Sequence, residues 1–164
     1  MIVITGINPE PWDLGTISTG RRKSGGISAN MSPNAKLVAY KNALREELTK
    51  KKVVKLPDDS PVSLVFYFLR EIEVYQGPRK TTYGHVADAT NLQKATEDAL
   101  QGILFDNDSV VHDIHSTILG QATGIEPGII IHVTPYIPDP SLYLWAIEQL
   151  GYERARFKIG DNSW

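Results

Sequence analysis

Val62–Leu69 reads VSLVFYFL, apolar throughout except for Ser63, with Pro61 before it and the charged pair Arg70-Glu71 after it. Eight residues rich in Val, Phe and Tyr are too few for a typical globular helix and suit a strand, and their nearly continuous hydrophobicity marks the centre of a sheet. The elements on either side are read outward from this strand. Upstream, Ser32 as N-cap with Pro33 in the first turn predicts a helix running to about Lys51, with Leu37, Tyr40, Leu44 and Leu48 on one face. Downstream, Glu71 to Gly84 reads as strand, loop and strand, turning at Gly77, Pro78, Arg79 and Lys80. Ala89 to Gln101 is a helix stopped by Gly102. Val110–Leu119 and Ile129–Val133 are further strands, and Asp139-Pro140 opens a last helix that ends at Gly151.

At the start of the chain, Met1 to Ile4 is a β-branched strand ended by Gly6, and Ile7 to Asn34 reads as a long Gly-, Ser- and Pro-rich loop. The order β, α, β, β, α, β, β, α predicts an α+β fold, a mixed sheet with packed helices. With 164 residues the chain is expected to form a single small domain over residues 1–151, followed by a tail at 152–164 carrying Arg154, Arg156 and Lys158.

Composition narrows the chemistry. No cysteine is present, which excludes disulfides, zinc–thiolate centres and a cysteine nucleophile. A net charge of −2 provides no global attraction to nucleic acid, although Lys and Arg occur in bunches that allow a local basic patch. The opening residues MIVITGINPEPW have no basic region of the signal-peptide kind, and no apolar run approaches the roughly 20 residues that span a bilayer. A cytoplasmic protein without a membrane segment is expected.

The densest run of acidic, amide and lysine residues is HVADATNLQKATEDALQGILFDNDSVV, His85 to Val111. On a helix at about 100° per residue, Leu92, Ala95, Ala99 and Ile103 form the buried stripe, and Asn91, Lys94 and Asp98 line an adjoining one. ILFDNDSVV is expected to return as a strand, with Asp106 and Asp108 on one face. Two readings of the stretch stand side by side. In the first, Asp88 and Thr90 are helix caps, Thr90-Asn91-Leu92-Gln93 is a capping box, and Lys94 with Asp98 is a solvated pair. In the second, Asp88, Lys94 and Asp108 supply the parts of a phosphodiester-hydrolysing site: carboxylates for a hard divalent cation and an ammonium for the phosphate.

The pattern D-A-T-N-L-Q-K-x3-D-A-L-x-G-I-L-F-D-N-D-S-V-V resembles the RusA-type family of Holliday junction resolvases, whose signature runs D-x-D-N-L-x-K, D-x-L-x-G and D-D-x-Q-V. Asp88, Asn91, Leu92, Lys94, Asp98, Leu100, Gly102 and Asp108 stand at matching positions. The resemblance is tight over about a quarter of the chain and looser over the opening strand, the Pro-Trp loop, the first helix and VSLVFYFL. It implies a small homodimer that binds four-way DNA junctions and makes paired nicks with Mg2+, Mn2+ being a possible substitute. By the same resemblance Asp88 and Asp108 are the metal ligands, Lys94 faces the scissile phosphate, and Thr90, Asn91 and Asp98 support them.

Two positions depart from the pattern: Thr90 stands where the family has its second aspartate, and Asn107 where it has the first of the D-D pair. Glu97 and Asp98, roughly 10–12 Å further along the helix axis, are too far away to replace the missing carboxylate directly. An alternative therefore stays open, a junction-binding protein with weak or no nuclease activity. A third reading makes the final helix, LYLWAIEQL, a surface for a partner. Arg21, Arg22 and Lys23 in the Gly/Ser-rich loop are candidate phosphate contacts, followed by Arg79 and Lys80 at a turn tip; for each, a solvated loop is the competing reading. Lys50, Lys51 and Lys52 end a helix, where cations suit the dipole. Trp12 either stacks on a base or packs beneath the loop.

Overall fold

Four strands of the chain join in one mixed sheet in a computed structural model, which describes residues 1–13, 16–21, 27–32, 34–57, 59–76, 81–84 and 86–150. In chain order the elements are β1 (Ile2–Thr5), β2 (Thr16–Arg21), β3 (Ile27–Ser32), α1 (Ala35–Lys50), β4 (Val62–Glu71), β5 (Val74–Gln76), β6 (Thr81–Tyr83), α2 (Ala89–Leu100), a short 3-10 turn (Asp108–Val110), β7 (Val111–Ala122), β8 (Gly128–Pro135) and α3 (Pro140–Gln149). The sheet order is β1-β8-β4-β7. β8 runs antiparallel to both β1 and β4, whereas β4 and β7 are parallel. A parallel pair needs a crossover longer than a hairpin turn, and the segment carrying β5, β6 and α2 supplies it. The fold is α+β, as the order of elements predicted.

β4 occupies an inner place in the sheet, and its two faces differ. Val62, Leu64, Phe66 and Phe68 are buried, while Val65 and Tyr67 on the opposite face are only half-buried. The buried face meets Ile4 of β1 and Ile129 and Ile131 of β8, and is covered by α1 through Leu37, Tyr40, Leu44 and Leu48 and by α2 through Leu92, Ala95, Ala99 and Leu100. At the α1–α2 contact the Tyr40 hydroxyl and Thr96 Oγ1 are 2.6 Å apart. Burial of this pair pushes the Tyr40 phenol well above its ordinary pKa. Gly128 permits the close approach of β8 to β1, because a Cβ there would stand 2.8 Å from the carbonyl oxygen of Ile4.

The structure corrects four expectations. The segment Ile7–Asn34 is not wholly loop: β2 and β3 pair as an antiparallel hairpin in register from Thr16↔Ser32 to Arg21↔Ile27. Its Thr and Ile residues are strand-formers diluted by Gly and Ser, and pairing satisfies backbone groups irrespective of that dilution. Ser32 is thereby used in β3, and the cap of α1 is Asn34, whose Oδ1 accepts from the backbone N of Lys36 at 2.9 Å and of Leu37 at 3.4 Å. Thr90 is likewise no cap: Asp88 holds that place and Thr90 lies exposed in the first turn of α2.

Finally, ILFDNDSVV does not return directly as a strand. Gly102, at φ 84°, reverses the chain, its N–H donates to the Phe105 carbonyl, and Leu104 and Phe105 are buried as anchors. Asp108 then opens the 3-10 turn, capped by Asn107 Oδ1 accepting from Ser109 N at 3.0 Å. So Asp106 and Asp108 do not share a strand face.

The last helix starts as its sequence predicted, with Asp139 as N-cap and Pro140 in the first turn. It leaves Leu142, Leu144, Trp145 and Leu150 exposed and buries Ile147. Gly151 and the expected tail at 152–164 lie outside the described residues. No helix among the described residues is long and apolar enough to cross a membrane.

Candidate active site

Asp88 enters the site through its backbone. The preceding residue, Ala87, is gripped by the side chain of Gln121 on β7, whose Oε1 accepts from Ala87 N at 2.9 Å and whose Nε2 donates to Ala87 O at 2.7 Å. This two-point clamp sets the start of α2 against the sheet. The Asp88 carboxylate then caps the helix: Oδ1 accepts from Asn91 N and Oδ2 from Asn91 Nδ2, both at 2.8 Å. A carboxylate has about four lone-pair positions, so these bonds fix its orientation and leave acceptor capacity on each oxygen. The positive end of the helix dipole favours the charge there. Asn91 thus orients Asp88, and the capping and functional readings of the stretch are compatible.

Facing this helix start is the segment Asn8–Trp12. Asn8 and Glu71 exchange two hydrogen bonds, Nδ2 to the Glu71 carbonyl at 3.0 Å and Glu71 N to Oδ1 at 2.9 Å. Arg70, buried at the end of β4, donates Nε to the Pro9 carbonyl at 2.9 Å and holds Nη2 3.7 Å from Glu10. Trp12 N donates to the Asn91 carbonyl at 2.9 Å. A cleft of about 680 Å³ opens between these parts, lined among others by Glu10, Trp12, Arg70, Glu73, Asp88 and Asn91. Burial raises the Glu10 pKa, opposed by the charges of Arg70 and Lys36.

Glu10, Arg70 and Glu73 were not candidates from the sequence. The only signal for Arg70 was a lone guanidinium ending an otherwise apolar strand.

Lys94, one turn beyond Asn91 on α2, rests its Nζ 4.2 Å from the centre of the Trp12 ring. Trp12 itself packs half-buried against the core, in keeping with the packing alternative. Asp98 is turned to α1, where Lys41 Nζ lies 2.7 Å from Oδ2. Arg45 of α1 donates to the backbone carbonyls of Asp98 and Ala99, which ties the two helices together. Asp106 is held in an ion pair with Lys55.

Asp108 is exposed, and its charge acts on Glu97 of α2. The Glu97 pKa is raised, chiefly by burial and then by Asp108 and Asp98, with Lys94 opposing. Among the described residues no three His, Asp or Glu side chains gather closely enough to hold a metal ion by themselves. A hard cation takes one or two carboxylates and completes its shell with substrate phosphate and water; Asp88 lines the cleft, whereas Asp108 stands by Glu97 and is not among the cleft's lining residues.

The perturbation of Glu97 has a stability consequence. Its folded-state pKa lies above the ordinary value, so the stability it contributes is present below 4.5 and is lost as pH rises through the raised pKa. Glu97→Gln removes the penalty of the buried charge. In EDTA the variant is expected to melt above wild type at pH 7, with the difference closing at pH 4. A variant that melts lower at pH 7 would show that the fold prefers the ionised carboxylate.

Of the basic candidates, Arg21 is the last residue of β2, while Arg22, Lys23, Arg79 and Lys80 lie outside the described residues, as does His85. Lys50 and Lys51 approach Glu47 within α1, in keeping with a helix-end role. The family model described as Endodeoxyribonuclease RusA matches residues 15–134, a span that contains the hairpin, β4, all of α2 and Asp108. No curated protein matches the sequence.

Proposed function

The chain belongs to the RusA endodeoxyribonuclease family, whose members resolve Holliday junctions, and from that premise we propose that it cuts four-way DNA junctions by paired, symmetric nicks. The observation that carries the proposal is the family match across residues 15–134, which includes Asp88, Asn91, Lys94, Asp98 and Asp108. Asp88 and Asp108 would hold the divalent cation, Mg2+ with Mn2+ as a substitute. When bound, the cation supplies nucleophilic water at neutral pH and offsets charge on the phosphate. Asn91 orients Asp88 through the two hydrogen bonds to its carboxylate. Lys94 contacts the scissile phosphate as a point charge, and Asp98 steadies α2 from the side of α1.

Two nicks related by symmetry require two active sites, which a two-fold homodimer on a pseudo-symmetric junction provides. Arg21, Arg22 and Lys23, with Arg79 and Lys80, contact phosphates along the junction arms. Residues 1–151 constitute the nuclease domain and 152–164 its tail. On this reading the protein works in the cytoplasm of a bacterial or phage-infected cell, in recombination and repair. The decisive experiment incubates purified protein with a synthetic four-way junction in Mg2+. Paired nicks near the crossover support the proposal, and intact strands in both Mg2+ and Mn2+ overturn it.

Thr90 and Asn107 favour a second reading, junction binding with weak or no cleavage. Thr90 is exposed two residues after Asp88 in the first turn of α2, where a carboxylate meets the helix dipole favourably. Thr90→Asp is therefore expected to fold normally, bind Mg2+ more tightly by calorimetry and reach half-maximal cleavage at a Mg2+ concentration lower by roughly ten-fold. An unchanged magnesium titration would show that two carboxylates suffice.

A further inference from the structure

We infer that Trp12 is a positioning residue for Lys94, its indole face holding the lysine ammonium in one place before DNA arrives. The inference rests on the reading of Lys94 as the phosphate-facing lysine.

Lys94 is exposed, and a free lysine on a helix surface samples many rotamers, few of which point to any one place. Here its Nζ stands 4.2 Å from the Trp12 ring centre, within the range in which the negative face of the ring attracts a cation. The ring is not itself a loose surface group. Its side chain packs against the hydrophobic core, and its backbone N–H is bonded to the carbonyl of Asn91, one turn before Lys94 on the same helix. The chain leading to it is held at Pro9 by Arg70 and at Asn8 by Glu71, both at the end of β4. The place of the ring is therefore set by the sheet and by the backbone of α2, independently of the lysine it carries. Asn91 ties the two halves together, since its side chain orients Asp88 and its carbonyl receives Trp12. A carboxylate and an ammonium that must meet one phosphate are thus both referenced to Asn91. The contact is weak enough for the ammonium to transfer to a phosphate oxygen, and strong enough to enrich the useful rotamers several-fold.

The test is a double-mutant cycle in single-turnover cleavage of a four-way junction with Mg2+, using wild type, Trp12→Leu, Lys94→Ala and the double variant. We expect Lys94→Ala to slow cleavage at least about a hundred-fold, and Trp12→Leu about three- to ten-fold with junction affinity unchanged. The double variant should be no slower than Lys94→Ala alone. Trp12→Phe, which keeps a ring face, should recover part of the loss, and it carries the cycle if Trp12→Leu does not fold. Independently of activity, 1H–13C spectra should show the Lys94 Hε protons shifted upfield by the ring and returned to the ordinary lysine position in Trp12→Leu.

Equal slowing by Trp12→Leu in both backgrounds, or wild-type cleavage by the single variant Trp12→Leu while Lys94→Ala is crippled, overturns the inference and leaves the function intact. Wild-type cleavage by Lys94→Ala overturns the role of the lysine itself, and the positioning role with it.

Discussion

Asp108→Asn is expected to lower junction cleavage by about a thousand-fold or more while changing junction affinity by less than about two-fold. The substitution is nearly isosteric, and Asp108 is an exposed residue at the start of a 3-10 turn whose cap is Asn107, so the fold has no need of its charge. Its charge does act on Glu97, and removing it should ease that residue's ionisation, which makes loss of folding a poor explanation for loss of cutting. Affinity for a four-way junction rests on neutralising many phosphates, and one carboxylate contributes little to that sum. The measurement pairs single-turnover cleavage in Mg2+ with a gel shift in Ca2+ or EDTA.

Asp106→Asn is the companion variant. Asp106 is engaged by Lys55 as a surface ion pair of small worth, and its loss should leave cutting intact. Undiminished nicking by Asp108→Asn would remove that residue from the site. A dead Asp106→Asn beside an active Asp108→Asn would move the assignment two residues back.

Asp88 separates structure from chemistry in a different way, because the structure gives it a cap to maintain whatever else it does. Asp88→Ala should destroy cleavage and also destabilise the fold by about 1 kcal/mol, a fall in Tm of about 2–4 °C, since Asn91 loses the acceptor for its backbone N–H. Asp88→Asn should keep the cap, asparagine being as good an N-cap as aspartate. It should nevertheless lose cleavage by about a hundred-fold or more, because a neutral amide is a poor ligand for a hard cation. Thermal melts and cleavage rates of the two variants therefore diverge if Asp88 has both tasks. Should Asp88→Asn cut as wild type does, the cap is its whole role, and the resemblance at this position reflects helix chemistry alone.

The side chains with a proposed role in cleavage were singled out in the sequence by the family pattern that joins them, since their spacing alone fitted helix caps and a surface pair as well. Asn91, Lys94 and Asp98 are spaced to share one edge of a helix with Asp88 just before it, and a helix places neighbours by rules that need no other part of the chain. For the same reason the buried face of α1 was readable as Leu37, Tyr40, Leu44 and Leu48, and the end of α2 as Gly102. Where two local signals competed, only the tertiary structure decided between them. Ser32 and Asn34 are both good caps, and pairing of β3 with β2 claimed the first and left the second. Asp88 and Thr90 are both good caps, and the clamp of Gln121 on Ala87 starts the helix so that Asp88 takes the place.

The surroundings of the site are non-local throughout. Arg70 and Glu71 meet Asn8, Pro9 and Glu10 across 60 or more residues of chain, and the Trp12 ring reaches Lys94 only because β4 and α2 pack on one core. By itself the sequence determined the periodic elements, the α+β class and the family pattern, all of which depend on spacing along the chain. The cleft, the seat of Lys94 and the turn that carries Asp108 depend on which distant segments share a core, and that is decided only when the sheet forms.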